Sequence, residues 1–282
     1  MEWKETERGR VLMWFADVGQ VIAGFVAAAW ALVATIAMSM RRTALGAVLA
    51  PVARVPVLVG MTIASALLVA QAVVVDFVAD LGRPGHLDTS VWAWFVEHRS
   101  PVMTFLMKGV SLVGDTPEMA LLAILGAVVL LWAGYRTEAA VVLTAPVGAL
   151  LLINGFKNLY DRPRPPVGER LAIEGNPSLP SGHALGSVVV IGVLAAVVVL
   201  LVRSLALRVL AVAAAAVLVA TIGISRLYLA VHWTTDVLAG WFLGGAWLAL
   251  CVTVLCVART PARTPDLLTP AGGVPAGSGR RG

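Results

Sequence analysis

Long apolar stretches dominate the chain. Seven of them, 18–40, 56–76, 117–134, 138–156, 183–202, 206–225 and 235–257, are separated by shorter polar segments. Each is close to the roughly 20 residues that an α-helix needs to cross the hydrocarbon core of a bilayer. The pattern predicts an all-α fold, a polytopic transmembrane helical bundle. The first stretch follows the mixed-charge segment Glu2 to Arg10 and precedes Arg41-Arg42 without a small-residue cleavage site. It is also too long for a signal-peptide core, so it is read as a retained span. Between 77 and 116 the chain is more polar, and the spacing of Trp94, Phe95, Met103, Leu106 and Met107 predicts short amphipathic helices along the membrane interface. Segment 158–182 holds five of the fifteen prolines and is expected to be a loop. The tail after Arg259, rich in Pro, Gly and Thr, is expected to be disordered.

Composition agrees with a membrane protein and removes most alternatives. Of the 282 residues 59% are hydrophobic and 13% charged, and the mean hydropathy is +0.89. A soluble domain has about 45–50% apolar and about 25% charged residues. Too few charges remain to cover a water-facing surface, which excludes a soluble enzyme, a disordered chain and a collagen-like fibre. The two cysteines, Cys251 and Cys256, lie in one apolar run. Five helical steps place them about 140° apart, so they form neither a disulfide nor a metal framework. The net charge of +5 reflects basic loops and not nucleic-acid binding. Ten arginines (41, 42, 54, 136, 203, 208, 259, 263, 280 and 281) fall on one side of the bundle with only Glu138 and Asp266 as acids, and that side is assigned to the cytoplasm.

Three polar clusters on the opposite side are unlike anything a span requires. One is Lys157-Asn-Leu-Tyr-Asp-Arg-Pro-Arg164-Pro165, the second Pro180-Ser181-Gly182-His183, and the third runs from Ser225-Arg226 through His232 to Asp236. Because successive spans reverse direction, all three reach one membrane surface, where ionisable groups cost far less than at mid-bilayer. Lys157, Arg164 and Arg226 offer three cations, two of them guanidiniums suited to a tetrahedral oxyanion. Ser181 is a good N-cap, and Gly182 lets an anion approach the positive end of the helix that follows. His232 and Asp236, at i and i+4, are expected on one helix face, the carboxylate leaving the far ring nitrogen basic and nucleophilic. His183 is then free to protonate a leaving oxygen. Asp161 and Asp236 make a poor divalent-ion site, so a metal-free phosphohistidine route is the simpler reading.

Taken together, the three clusters resemble the signature of the type 2 phosphatidic acid phosphatase superfamily, the membrane lipid phosphate phosphatases: K-x6-R-P, P-S-G-H and S-R-x5-H-x3-D. Lys157, Arg164, Pro165, Pro180 to His183, Ser225, Arg226, His232 and Asp236 match every specified position. The resemblance implies His232 as nucleophile, Asp236 as its support, His183 as the proton donor, and Lys157, Arg164, Ser181, Gly182 and Arg226 as phosphate-binding residues. It implies a six-helix phosphatase core, here over 56–258, with no metal and no cofactor; the chain departs from that six-span plan by an N-terminal segment, 1–55, with an extra span at 18–40, and a cytoplasmic tail, 259–282, follows the core. The run from Ser225 to Asp236 is similar to bacterial members acting on undecaprenyl diphosphate or phosphatidylglycerol phosphate. The expectation is therefore a multi-pass bacterial plasma-membrane phosphatase with an extracytoplasmic site. It would remove the terminal phosphate of a lipid phosphate or polyprenyl diphosphate, with the bilayer and that lipid as its partners. A lipid phosphotransferase using the same histidine is the alternative enzyme. A non-enzymatic lipid transporter is disfavoured because no mid-span charge lines a path.

Several other residues receive plain structural readings. His86 and His98 are expected as exposed loop histidines. Gly240 and Gly244 form a small-xxx-small pair for close helix packing. Asp161, Arg162 and Glu169 are expected in an ordinary solvated loop.

Overall fold

The computed structural model describes residues 44–81 and 84–259; the predicted span at 18–40 and the tail from residue 260 onward lie outside them. The described residues form eight α-helices and no strand: α1 (Ala44–Leu81), α2 (His86–Glu97), α3 (Pro101–Val113), α4 (Thr116–Trp132), α5 (Arg136–Tyr160), α6 (Gly182–Leu201), α7 (Leu205–Tyr228) and α8 (Thr234–Ala258). A single 3-10 turn, Val167–Glu169, interrupts the long loop after α5. This is the all-helical membrane bundle that the apolar pattern predicts.

Five helices are each long and apolar enough to span a bilayer, and α3 with α4 makes a sixth candidate, bent by 52° at the break between them. Sequence alone places only 117–134 in the membrane and α3 along the interface. The break has a local cause. Gly114 caps α3, Asp115 is the N-cap of α4, and Pro117 occupies the first turn of α4, where its missing N–H is not needed. Helix α1 is also longer than its apolar stretch, and takes in Arg54, expected in a loop.

Helix α6 is the hub. It packs against α4, α5, α7 and α8, and Leu185, Val189, Val190, Val193 and Val197 on it are buried. Helix α8 lies between α6 and α1. The outward positions of α4, α5 and α7, such as Leu125, Val128, Leu151, Leu210 and Val217, stay exposed, as lipid-facing side chains must. At the end where the motifs fall, α2 and α3 fold over α7, and α2 also reaches α8.

The α6–α8 contact positions the site, and glycine makes it possible. A Cβ at Gly240 would stand 2.8 Å from the Ser181 carbonyl oxygen, and one at Gly244 would stand 2.9 Å from the Leu185 carbonyl oxygen. Both are backbone atoms that cannot turn aside. Gly240→Ala is therefore expected to destabilise the protein by about 1–3 kcal/mol, read as a lower unfolding midpoint in detergent. Gly155, beside which a Cβ meets nothing within 4 Å, is the control position. Cys251 is buried and is not bridged to Cys256.

Candidate active site

Four helix ends and one loop build the site. Helix α5 delivers Lys157, buried in its last turn, and stops at Asp161, whose φ of 37° is left-handed. Asp tolerates that conformation better than most residues. The chain then enters the 161–181 loop with Arg162, Arg164, Glu174 and Asn176. Ser181 caps α6, its hydroxyl accepting from the Ala184 N–H at 3.4 Å, and Gly182 and His183 open that helix. Helix α7 brings Arg226 in its last turn, and the link to α8 carries His232. The Ser181 N–H donates to the Asp236 carbonyl at 3.0 Å, tying the start of α6 to the start of α8.

All eight predicted residues thus converge. Arg164 is the junction: one guanidinium nitrogen lies 3.1 Å from His232 Nε2 and donates to the Val231 carbonyl at 2.7 Å. Its Nε donates to the Asn176 carbonyl at 2.7 Å. Lys157 Nζ donates to Asn176 Oδ1 at 2.8 Å and to the Pro177 carbonyl at 2.6 Å. Arg226 donates to Ser111 Oγ and to Glu174, and Glu174 also pairs with Arg164 at 3.4 Å. His183 Nε2 lies 2.9 Å from Asp115 Oδ1, a contact without hydrogen-bond alignment.

The His232–Asp236 pair needs a correction. Sequence spacing puts both on one helical face, but α8 begins only at Thr234, with Trp233 as N-cap, so His232 sits in the turn before it. Asp236 is the third residue of the helix, and its Oδ2 accepts the Trp233 N–H at 2.8 Å, as an acid in a first turn does. The same oxygen is 3.4 Å from His232 Nδ1, close but not aligned as a hydrogen bond. Nδ1 therefore faces the carboxylate and Nε2 faces Arg164. Burial, then the fields of Arg164, Arg226 and Lys157, hold the imidazole of His232 well below its usual value, with the Ser178 backbone acting the other way. His232 is a neutral base in this environment.

Arg162 also departs from its expected place in a solvated loop. It is 7% exposed, and it bridges two buried carboxylates, donating to Asp88 Oδ2 at 2.7 Å and to Asp236 Oδ1. It also donates to Thr235 Oγ1 at 2.8 Å, while Asp88 accepts from the Thr235 N–H at 2.9 Å. Asp161, by contrast, is exposed, and Glu169 makes a partly exposed pair with Arg99 at 3.3 Å. His86 and His98 are exposed as expected, although they terminate α2 instead of lying in a loop. Asp88, Ser111, Asp115, Glu174 and Asn176 are site residues that the motif reading missed. Among the described residues no three His, Cys, Asp or Glu side chains gather as a metal-ligand set.

The bundle and its convergent cluster define a polytopic membrane protein with three buried or half-buried cations gathered beside a histidine at one end. Residues 138–258 match the model of the PAP2 superfamily, the family that the three motifs resemble. Asp88, Ser111 and Asp115 reach the site from outside those residues. In structure the chain is similar to a transmembrane PAP2-type phosphatidylglycerolphosphate phosphatase from Bacillus subtilis, with a TM-score of 0.61 and 26% identity over 67% of this chain and 93% of that one. No curated protein matches the chain.

Proposed function

We propose that the protein is a lipid phosphatase that removes a terminal phosphate through a phosphohistidine on His232. The PAP2 fold and its phosphatase neighbour support the activity. The observation that carries the mechanism is the placement of His232 Nε2 3.1 Å from a guanidinium nitrogen of Arg164, with Asp236 Oδ2 on the side of Nδ1. Lys157, Arg164, Arg226 and the α6 N-terminus receive the phosphate oxygens and stabilise the charge that builds on them during transfer. The Nε2 lone pair attacks phosphorus as the bond to the lipid oxygen breaks, and His183 gives its proton to that oxygen. Water then attacks phosphorus, the P–N bond breaks, and His183 takes up the water proton.

The site lies at the opposite end of the bundle from Arg136, Arg203, Arg208 and Arg259, which begin or follow the other ends of α5 to α8. That charge asymmetry supports an extracytoplasmic active site. The substrate is a phosphomonoester or diphosphate lipid, phosphatidylglycerol phosphate and undecaprenyl diphosphate being the two favoured choices.

Purified protein is expected to release phosphate from at least one member of a panel of undecaprenyl diphosphate, phosphatidate and phosphatidylglycerol phosphate, and to keep doing so with chelator present. No release from any of the three, with lipid movement across vesicles instead, would overturn the assignment. The pH profile follows from the depressed His232. A folded value below 6.5 keeps the ring neutral as pH falls through 6.5, so the acid limb of kcat/KM that His232 sets lies below that pH. A limb above 6.5 would contradict a neutral His232.

A further inference from the structure

Every cation assigned to phosphate is already engaged by one short piece of the 161–181 loop. Glu174 pairs with both Arg164 and Arg226. Asn176 Oδ1 accepts from Lys157 at 2.8 Å and from Arg164 at 2.5 Å, and the Pro177 carbonyl accepts from Lys157 at 2.6 Å. The two guanidiniums are 4% and 3% exposed against 20% for Glu174, so the carboxylate lies on the solvent side of the cations. Ile173 beside it is fully exposed. Yet the carboxylate does not use every donor: Arg226 Nε is buried with no hydrogen-bond partner among the described residues. The carboxylate gives one oxygen to each guanidinium, and Arg226 Nε is left over as a donor for a further oxygen.

We propose that Glu174 is a resident anion in the phosphate site: its carboxylate occupies the phosphate position on Arg164 and Arg226, so an incoming lipid anion binds only by displacing it, which a doubly charged terminal phosphate does at far lower concentration than a phosphodiester. The proposal rests on the phosphate-site reading above.

The physical basis is competition between anions. A phosphodiester headgroup carries one negative charge and two free oxygens, the same as the carboxylate it would have to displace. The carboxylate is tethered, so its effective concentration is high, on the order of millimolar or more. A phosphodiester therefore has no advantage with which to enter. A terminal phosphate carries about −1.5 to −2 at pH 7 and three acceptor oxygens. Its attraction to the three cations is close to double that of a carboxylate at the same distance, and its third oxygen can take the unused Arg226 Nε. Bulk membrane phospholipids are phosphodiesters and vastly outnumber a phosphomonoester substrate. A cation cluster left open at the membrane surface would be saturated by them.

The test is direct binding to the full-length protein in detergent, by titration calorimetry at pH 7.5. The probes are inorganic phosphate, and dihexanoyl phosphatidylglycerol as a phosphodiester. If the resident carboxylate is ahead by about ten to one, its removal tightens phosphate binding by about tenfold. Glu174→Gln and Glu174→Ala are both expected to show this gain, and to bind the phosphodiester in competition with phosphate at far lower concentration than the unsubstituted protein does. Unchanged or weaker phosphate binding in the folded variants, or equal phosphodiester binding with and without Glu174, would overturn the proposal. Tighter phosphate binding in a protein that releases phosphate from no lipid would leave the gate standing and remove the phosphatase reading. Hydrolysis with unchanged binding would do the reverse.

Discussion

Replacing His232 with alanine is expected to lower phosphate release by on the order of 10⁴-fold or more, because in the proposed mechanism it deletes the nucleophile and not a helper. Binding of inorganic phosphate should change far less. The cations proposed to hold it, on Lys157, Arg164 and Arg226, are anchored by Asn176, Pro177, Val231 and Ser111, and Arg164, which also touches the imidazole, keeps its bonds to Val231 and Asn176 when the ring is removed. The decisive measurement is covalent: quenching a reaction on lipid labelled in its terminal phosphate should trap an acid-labile phosphoenzyme that His232→Ala does not form. His183→Ala gives the complementary result. Losing the proton donor is expected to cost about 10²–10⁴-fold on a lipid substrate, and much less for the first step on p-nitrophenyl phosphate, whose leaving group needs no proton. With that ester the phosphoenzyme should accumulate in His183→Ala, since the same histidine serves hydrolysis of the P–N bond. Label retained on a protein lacking His232 would assign the nucleophile elsewhere.

What could be read from sequence was set by local signals. Apolar runs define the spans, and span parity carries Lys157, Ser181, His183, Arg226 and His232 to one end without any knowledge of packing. The apolar stretch starts at 235, one residue from the helix start at Thr234, but the i, i+4 spacing of His232 and Asp236 extends the helix back to His232, and the N-cap Trp233, a residue with no N-cap preference, gives no signal against that. The consequence was to place His232 on a helix that has not yet begun. The buried role of Arg162 was hidden for a different reason. It stands two positions from Arg164 in a proline-rich loop, and its partners Asp88 and Asp236 are each 74 residues away. Only the reversal at Asp161 and the docking of α2 distinguish it from a solvated arginine. Glu174 was illegible on the same grounds: an acid in a loop has no periodicity, and its pairing with Arg226 spans 52 residues.

Those long-range partners lead to the largest expected stability effect. Arg162 sits between Asp88 and Asp236, and the three are 7%, 1% and 0% exposed. Arg162→Ala leaves two buried carboxylates without the cation between them, and removing one member of such a set costs about 3–5 kcal/mol. Arg164→Ala should cost less, because its acidic partner Glu174 is 20% exposed and can turn to water. Unfolding midpoints of the two variants in the same detergent check that order. Catalysis should separate them as well. Where Arg162→Ala still folds, Asp236 keeps its bond to the Trp233 N–H but loses the cation that fixes its other oxygen, so kcat falls while KM stays close to the original, the phosphate donors being intact. Arg164→Ala should instead raise KM as well as lower kcat. Arg162→Lys returns a charge but not a fork able to reach Asp88, Thr235 and Asp236 together, so it should recover part of the stability and little of kcat. A Lys variant with full kcat would show that Asp236 needs only a nearby positive charge, and not the fixed orientation that the guanidinium imposes on it.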